Sequence, residues 1–421
     1  MNKNFKIIIS LFAISLFSQS IFSQGVNGNN NNVIGQDEGL RTITTAVPFL
    51  MIAPDSRSGA MGDAGVATTP DANSMHWNPS KYAFMENDFG LSISYTPWLR
   101  KLVDDINLAY LSGYYRIDKN QVFAASLLYF SLGSITFTND QGQALNNFNP
   151  HEFSFDFSYS RLLSKHFSGS LAARYIYSNL TGGTTVSNEQ SHAGHAFAMD
   201  VSAFYQNDIN FFDKDANLAF GMNISNIGNK IDYTNDTKNF IPINLKIGSA
   251  LTTKIDDYNS LMFTVDFNKL LVPTPPVYAI NELNDYVVDE NGDQVIAAGK
   301  NPNVSVPVGM FQSFYDAPGI LDSDGSRNVF KEELQEITYS IGAEYWYAKQ
   351  FAIRAGYFHE HGSKGNRKYF TAGLGIRFNV FGLDFAYLIP TGNQNNNPLA
   401  ETLRFSLVFN FENINAQSGP Q

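Results

Sequence analysis

Glu152-Phe-Ser-Phe-Asp-Phe-Ser-Tyr-Ser160 is the stretch on which the fold turns. Phe153, Phe155, Phe157 and Tyr159 occupy every second position, and Ser154, Asp156, Ser158 and Ser160 fill the positions between them. Successive side chains of a strand point to opposite faces, so this segment, as a strand, has one aromatic face and one polar face. The pattern returns at 369–378, where Phe370, Ala372, Leu374, Ile376 and Phe378 oppose Thr371, Gly373, Gly375 and Arg377. It returns again at 402–411, where Leu403, Phe405, Leu407, Phe409 and Phe411 oppose Thr402, Arg404, Ser406 and Asn410. Reading outward from these gives about fourteen such segments: 89–96, 105–117, 121–132, 151–163, 166–180, 195–207, 216–227, 241–255, 260–270, 335–348, 350–360, 368–379, 381–390 and 401–411.

The connections carry independent information. Even-numbered ones are mostly tight: Asp118-Lys-Asn120, Leu163-Ser-Lys-His166, Asp256-Asp-Tyr-Asn259, Ala348-Lys-Gln350 and Asn379-Val-Phe-Gly382, with the sixth longer, about Asn207–Asp215. Odd-numbered ones are long and polar, at about 133–150, 181–194, 228–240, 271–334, 361–367 and 391–400. Outer-membrane barrels alternate short periplasmic turns with long extracellular loops in this way, and a soluble sandwich has no reason to. The expected fold is therefore all-β, a transmembrane antiparallel barrel of about fourteen strands.

Composition agrees. Phe (35) and Tyr (21) are abundant, yet only 16% of residues are charged, against roughly 25% in soluble domains. Past residue 23 no apolar run approaches the ~18–20 residues that a membrane helix needs. Asp156, Arg174, Asp200, Asp266, Glu344, Arg354, Arg377, Asp384 and Arg404 all fall on the non-greasy faces. Charge is costly against lipid, and residues of both signs can pair across a narrow, filled interior. Tyr95, Trp98, Tyr114, Tyr115, Tyr345, Tyr347 and Tyr387 near strand ends suit interfacial aromatic belts.

The N-terminus reads as an export signal over 1–23: Lys3 and Lys6, an apolar core Ile7 to Phe17, then Ser20 and Ser23 ahead of a cleavage point near Ser23–Gln24. Removal of its two lysines takes the net charge from −11 to −13. Such acidity argues against nucleic acid as a partner. Residues 24–38 are Gly-, Asn- and Gln-rich and are expected to be disordered. Residues 39–88 lack alternation and suit short helices and tight turns. The barrel occupies 89–411, and a tail, 412–421, follows.

No catalytic constellation stands out, and no cofactor is implied. With no cysteine, disulfides, thiolate chemistry and Cys-based zinc sites are excluded. His192 with His195, and His359 with His361, form pairs without a third metal ligand. Asp322, Asp324, Ser326 and Glu333 fall at positions 1, 3, 5 and 12 of a calcium-loop pattern, but Arg327 stands where the turn requires Gly.

The informative motif is Arg57-Ser-Gly-Ala-Met-Gly-Asp-Ala-Gly-Val-Ala-Thr68, followed by Asp71-Ala-Asn-Ser-Met-His-Trp-Asn-Pro-Ser80. Gly59, Gly62 and Gly65 at three-residue spacing permit close backbone packing. Trp77-Asn78-Pro79 reads as a turn that launches the first strand. Set ahead of an aromatic barrel, this segment resembles the N-terminal plug of the FadL-like outer-membrane family. With Gly39-Leu-Arg-Thr-Ile-Thr-Thr-Ala-Val-Pro-Phe-Leu-Met-Ile-Ala-Pro-Asp-Ser56 before it, nearly all of the mature chain more closely resembles the PorV family of the Bacteroidota type IX secretion system.

The resemblance implies a plug folded inside the barrel, carrying Arg57, Gly59, Gly62, Asp63, Gly65, Trp77, Asn78 and Pro79 as its motif. It implies a non-enzymatic role at the bacterial outer membrane, among its lipid and LPS. Family members receive cargo, recognised by its C-terminal domain, from the type IX translocon barrel and deliver it to a PorU-like sortase and attachment complex. Cargo would be held at extracellular loops, chiefly 271–334 and 133–150. Within 304–315, Pro307, Met310, Phe311, Phe314 and Tyr315 are apolar for a surface loop and mark either a partner-binding surface or packing onto the barrel mouth. The alternative, by FadL analogy, is a transporter of hydrophobic small molecules, with a pocket lined by Phe49, Leu50 and Met51 and a lateral gap in the wall.

Overall fold

The computed structural model describes residues 41–99, 105–138, 144–183, 185–186, 189–234, 238–283, 285–322, 324–391, 399 and 402–411. The expected signal peptide, the 24–38 segment and the 412–421 tail lie outside the described residues.

Fourteen strands form one closed antiparallel barrel. They are β1 (Phe89–Pro97), β2 (Ile106–Arg116), β3 (Gln121–Leu132), β4 (His151–Leu162), β5 (Phe167–Asn179), β6 (Gly194–Phe211) and β7 (Lys214–Gly228). The second half comprises β8 (Asn244–Lys254), β9 (Asn259–Leu270), β10 (Thr338–Tyr347), β11 (Phe351–His359), β12 (Lys368–Phe378), β13 (Phe381–Pro390) and β14 (Leu403–Phe411). Each strand pairs with its chain neighbours, and β1 closes on β14 with Phe89 opposite Phe411 and Tyr95 opposite Phe405. Closure removes the sheet edges, the requirement for crossing a membrane with strands. No described helix is long and apolar enough to cross one. Every expected strand segment forms a barrel strand.

The sixth connection differs from expectation. Instead of a loop over about 207–215 it is a two-residue turn, Phe212-Asp213, and both residues have positive φ (49° and 58°). Two successive left-handed residues match the twist of a hairpin. The polar run Asn207-Asp-Ile-Asn belongs to β6, which pairs with β7 out to Phe211 and Lys214. Ala348-Lys349 makes the same kind of turn (φ 50° and 55°).

Burial along the strands is the reverse of a soluble protein's. In β4, Phe155 is 51% exposed, whereas Asp156 is 3% exposed and Ser158 and Ser160 are buried. Leu171, Phe197, Phe220, Phe263, Ile353, Leu374 and Phe405 continue the exposed apolar surface round the barrel. An apolar exterior around a polar interior is the arrangement that lipid imposes. Tyr95, Tyr115, Tyr347 and Tyr387 are exposed, as belts require, but Tyr114 is not. It points inward and packs on Tyr82, ring centroids 5.5 Å apart.

At the turn end the connections are tight. At the other end they carry structure of their own: the ribbon Ile135–Thr138 with Ala144–Phe148, and a long excursion between β9 and β10. Helices in chain order are α1 (Ser56–Gly59), α2 (Ser74–Trp77), α3 (Val306–Gln312) and α4 (Val329–Gln335). The last two lie in that excursion, together with the pairs Val277–Tyr278 with Ile296–Ala298 and Ile320–Leu321 with Arg327–Asn328.

Candidate functional site

Residues 41–88 run along the buried face of the barrel. At the loop end, Arg41 donates its N–H to Ser363 O (2.7 Å) and its guanidinium to Glu332 (3.1 Å). At the turn end, Arg116 of β2 holds Met85 O at 2.5 Å. Local sequence explains the short elements between. The Asp55 carboxylate caps α1 by accepting from Ser58 N–H (2.9 Å) and also takes the Trp77 indole N–H (2.6 Å). Asn78 caps the 3-10 helix Pro79–Phe84 by accepting from Ser80 N–H (3.1 Å). Trp77-Asn78-Pro79 therefore starts a helical turn rather than launching β1, which begins only at Phe89. The fixed φ of proline suits a first helical position.

The wall supplies the rest. Arg57 donates Nε and Nη2 to Glu344 of β10 at 2.9 and 2.7 Å, and Nη1 to Asp71 at 2.9 Å. Glu344 also accepts from Arg354 Nε (2.6 Å), Arg354 reaches Asp384 (2.7 Å), and Arg377 reaches Asp384 (2.6 Å). Opposite charges thus alternate across β10–β13. On the other side Arg174 lies between Asp156 and Asp200. Gly65 and Val66 donate their N–H groups to Asp266 Oδ2 (2.7 and 2.9 Å), and Gly62 N–H to Thr371 Oγ1 (2.8 Å). Lys81 Nζ reaches Gly65 O (2.7 Å). Asn78 Nδ2 bonds Val66 O and Ala203 O, both at 3.0 Å. Asp63 accepts from Tyr369 OH (2.5 Å), and Arg404 reaches Gly59 O at 3.3 Å. Pro79 O accepts from Ser160 Oγ at 2.8 Å. Each residue of the sequence motif thus takes part in a hydrogen bond inside the barrel.

Glycine permits the contact from both sides. Gly62 has φ +69°, and a Cβ there would lie 2.6 Å from Tyr357 O. In the wall, a Cβ on Gly356 would fall 2.1 Å from the Met61 backbone, and one on Gly221 2.1 Å from Val66 O. These wall glycines, like Lys81 and Asp266, were not singled out as site residues. Their signal is a glycine on the polar face of a strand, where no bulky lumen side chain is wanted.

Toward the loop end the interior turns apolar. Val47, Phe49 and Leu50 join Leu108, Phe130, Ile176 and Phe240 in a buried cluster, and Val304, Val306 and Met310 pack on it. The segment 304–315 therefore divides. Gly309 and Met310 face the mouth, while Pro307, Val308, Phe311, Phe314 and Tyr315 are exposed, Phe311 at 75%. Lys300 lies 3.7 Å from the Tyr315 ring centroid. The base of the excursion is held down by Lys269 on Glu333 (2.9 Å) and Glu336 (2.7 Å), and by Lys364 on Glu332 (2.8 Å) and Glu336 (3.0 Å). Asp316, beside them, takes Thr274 N–H (3.2 Å), and burial pushes its pKa up to about 6.

Among the described residues no cluster of three or more His, Asp or Glu is placed to hold a metal. Glu333 turns inward, onto Lys269 and Ala317 N–H, so the calcium-like pattern is not brought together. His195 bonds Tyr175 (2.8 Å) and His359 stacks on Tyr339.

Among solved structures the chain is similar to the CymD monoaromatic hydrocarbon channel (13% identity, 86% of this chain and 98% of that one, TM-score 0.45). It is also similar to a Pseudomonas aeruginosa FadL homologue (11%, 88% and 100%, 0.42) and to the Pseudomonas putida toluene transporter TodX (11%, 84% and 96%, 0.42). No curated protein matches it. The family model described as "Type IX secretion system protein PorV" matches residues 35–277, more than half of the chain. The chain belongs to the PorV family, and is a non-enzymatic outer-membrane β-barrel of the type IX secretion system.

Proposed function

We propose that this protein receives cargo from the type IX translocon barrel, holds it by its C-terminal domain at the loop end, and passes it to a PorU-like sortase and attachment complex. The observation that carries the reading is the occupied lumen. Residues 41–88 are bonded to the wall from Arg41 at one end to Met85 at the other, so they serve as a plug, and a folded protein passes over this barrel rather than through it. The free face of α3 and the residues after it, with Pro307, Phe311, Phe314 and Tyr315 exposed, offers cargo an apolar surface. Met310, packed at the mouth, holds that surface in place rather than touching cargo.

The first test is a mild-detergent pull-down of the tagged protein from native outer membranes, read by mass spectrometry. A very large barrel, a sortase-like protease and proteins sharing one C-terminal domain are the expected companions. The triple variant Phe311→Ser, Phe314→Ser, Tyr315→Ser spares the packed face of 304–315. It should insert at the normal level and lose cargo; cargo recovered at normal yield would rule this face out.

Hydrophobic-molecule transport, the second reading, needs Phe49, Leu50 and Met51 to line a pocket and the wall to open. Met51 does line a cavity, but Phe49 and Leu50 are buried in the apolar cluster, and every neighbouring pair of strands is hydrogen-bonded. A partner-free barrel purified with a bound hydrocarbon would reverse this preference.

A further inference from the structure

We infer a small-oxyanion site inside the lumen, with the Lys246 ammonium as its cation and the Asn244 amide beside it. The inference does not depend on the secretion reading. A cavity of ≈ 340 Å³ lies between residues 42–51 and the strands β8–β12, and Lys246 and Asn244 of β8 both line it. Its size is at the low end of the roughly 300–1,000 Å³ of small-molecule pockets.

Three cations line this cavity, and two are already satisfied. Lys364 is paired with Glu332 and Glu336, and Arg367 with Glu360. Lys246 is 7% exposed and makes no ion pair or hydrogen bond among the described residues. Its one described contact is the Trp77 ring, 4.6 Å from Nζ to the centroid. The carboxylates that face it each hold another group, although Asp63 Oδ1 and Asp266 Oδ1 lack a hydrogen bond, and of the carboxylates lining the cavity Glu336 and Glu360 are the partners of Lys364 and Arg367. Asp63 takes Tyr369 OH and lies 3.5 Å from Arg404, Asp266 takes two backbone N–H groups, and Asp200 takes Arg174 and Asn226 N–H. Asn244 is 1% exposed, and neither its Oδ1 nor its Nδ2 has a partner. Buried polar groups are costly unless bonded, and a buried ammonium more so. One carboxylate or phosphate oxygen pair set between Lys246 and Asn244 accepts from the two donors, Lys246 Nζ and Asn244 Nδ2; Asn244 Oδ1, an acceptor, is matched only by a protonated oxygen of the ligand. Ile43, Pro48, Met51, Leu270 and Phe358 complete the lining, so a few carbons on the anion would meet apolar wall.

The test is calorimetric titration of the detergent-purified mature protein with acetate, butyrate and inorganic phosphate at constant ionic strength. Saturable one-to-one binding of at least one oxyanion is expected, and the ranking separates carboxylate from phosphate. Lys246→Met should weaken binding by roughly tenfold to a hundredfold, the worth of one charge-assisted hydrogen bond. No saturable binding by any of the three, or unchanged affinity in Lys246→Met, overturns the inference. If Lys246→Met does not assemble, Asn244→Leu carries the test. A severalfold loss upholds the site and unchanged affinity removes it.

Discussion

Residues 41–88 and residues 271–334 are the two long stretches outside the barrel wall, and ion pairs hold each of them. In the lumen these are Arg57, Arg354 and Arg377 with Asp71, Glu344 and Asp384, and Arg404 with Asp63. At the mouth they are Arg41, Lys269 and Lys364 with Glu332, Glu333 and Glu336. Cations meet carboxylates in both, but the surroundings differ. The lumen segment meets wall on every side, whereas the mouth segment packs through Val304, Val306 and Met310 and leaves Phe311, Phe314 and Tyr315 in the open. Buried ion pairs therefore stand in two settings: enclosed by the wall in one place, and in the other beneath an apolar surface that is exposed. The comparison breaks if removing one charge has the same consequence in both.

The largest effect is expected from Glu344→Ala. It strands two buried guanidinium groups, those of Arg57 and Arg354, on one remaining carboxylate each. Breaking a buried pair from one side costs about 3–5 kcal/mol. Urea unfolding of the detergent-solubilised barrel should show that loss, with the heat-modifiable gel band weakened. Glu344→Gln, which keeps the shape, should be intermediate. A smaller cost, roughly 1–3 kcal/mol, is expected from Gly62→Ala, which combines a left-handed φ with a Cβ 2.6 Å from Tyr357 O. Here the readout is protease access to 41–88 in the purified protein; a protected segment would mean that the wall yields more easily than its glycines suggest.

At the mouth, Lys364→Met leaves Glu332 with Arg41 and Glu336 with Lys269. These pairs are buried as well, so the prediction is that local opening of the excursion rehydrates the glutamates and holds the loss of barrel stability to about 1 kcal/mol, below the roughly 3–5 kcal/mol of a buried pair broken in place. Faster hydrogen exchange confined to α4 and to the base of the excursion is the expected signature. A global loss matching that of Glu344→Ala would erase the distinction between the two regions.

The wall was legible because alternation and connection length are local, and they agreed. Where the structure departs from expectation, a local signal points the wrong way. Asn207-Asp-Ile-Asn is polar and reads as loop, yet β6 extends through it to Phe211 because hairpin pairing continues past Tyr205, the last residue paired with β5. Tyr114 and Tyr115 both suit a belt by composition, but adjacent residues of one strand must face opposite ways. The lumen network was legible only by half. Arg57 lies in a recognisable motif, but its partner Glu344 is 287 residues away. Lys246 looks, in sequence, like any other charge on the polar face of a strand, and Lys81 like any lysine of a short helical turn. Which lumen charges find partners is decided by three-dimensional register, which one chain read alone does not give.

The smallest expected effect sharpens the comparison through pH. Asp316 is a fourth carboxylate at the mouth, and its pKa rises to about 6 from the ordinary 3.8, first through burial and then through Glu333. A carboxyl whose folded pKa lies above its unfolded one favours the seated loop fully below pH about 3.8, and that contribution is lost as pH rises through about 6. Asp316 Oδ1 has no hydrogen-bond partner, so only the bonds that Oδ2 accepts from Thr274 and Gln312 offset the desolvation of the ionised form. In the wild type, exchange protection of 271–334, corrected for intrinsic rates, should fall between pH 4 and pH 6.5 relative to the same protein carrying Asp316→Asn (the window set by that rise in pKa). The variant keeps a carbonyl to accept from Thr274 N–H but cannot ionise. Protection over 41–88 should not follow this difference, because Asp316 touches none of it. If the two proteins lose protection in parallel, the pH response of the mouth belongs to its three glutamates, and Asp316 is only filling.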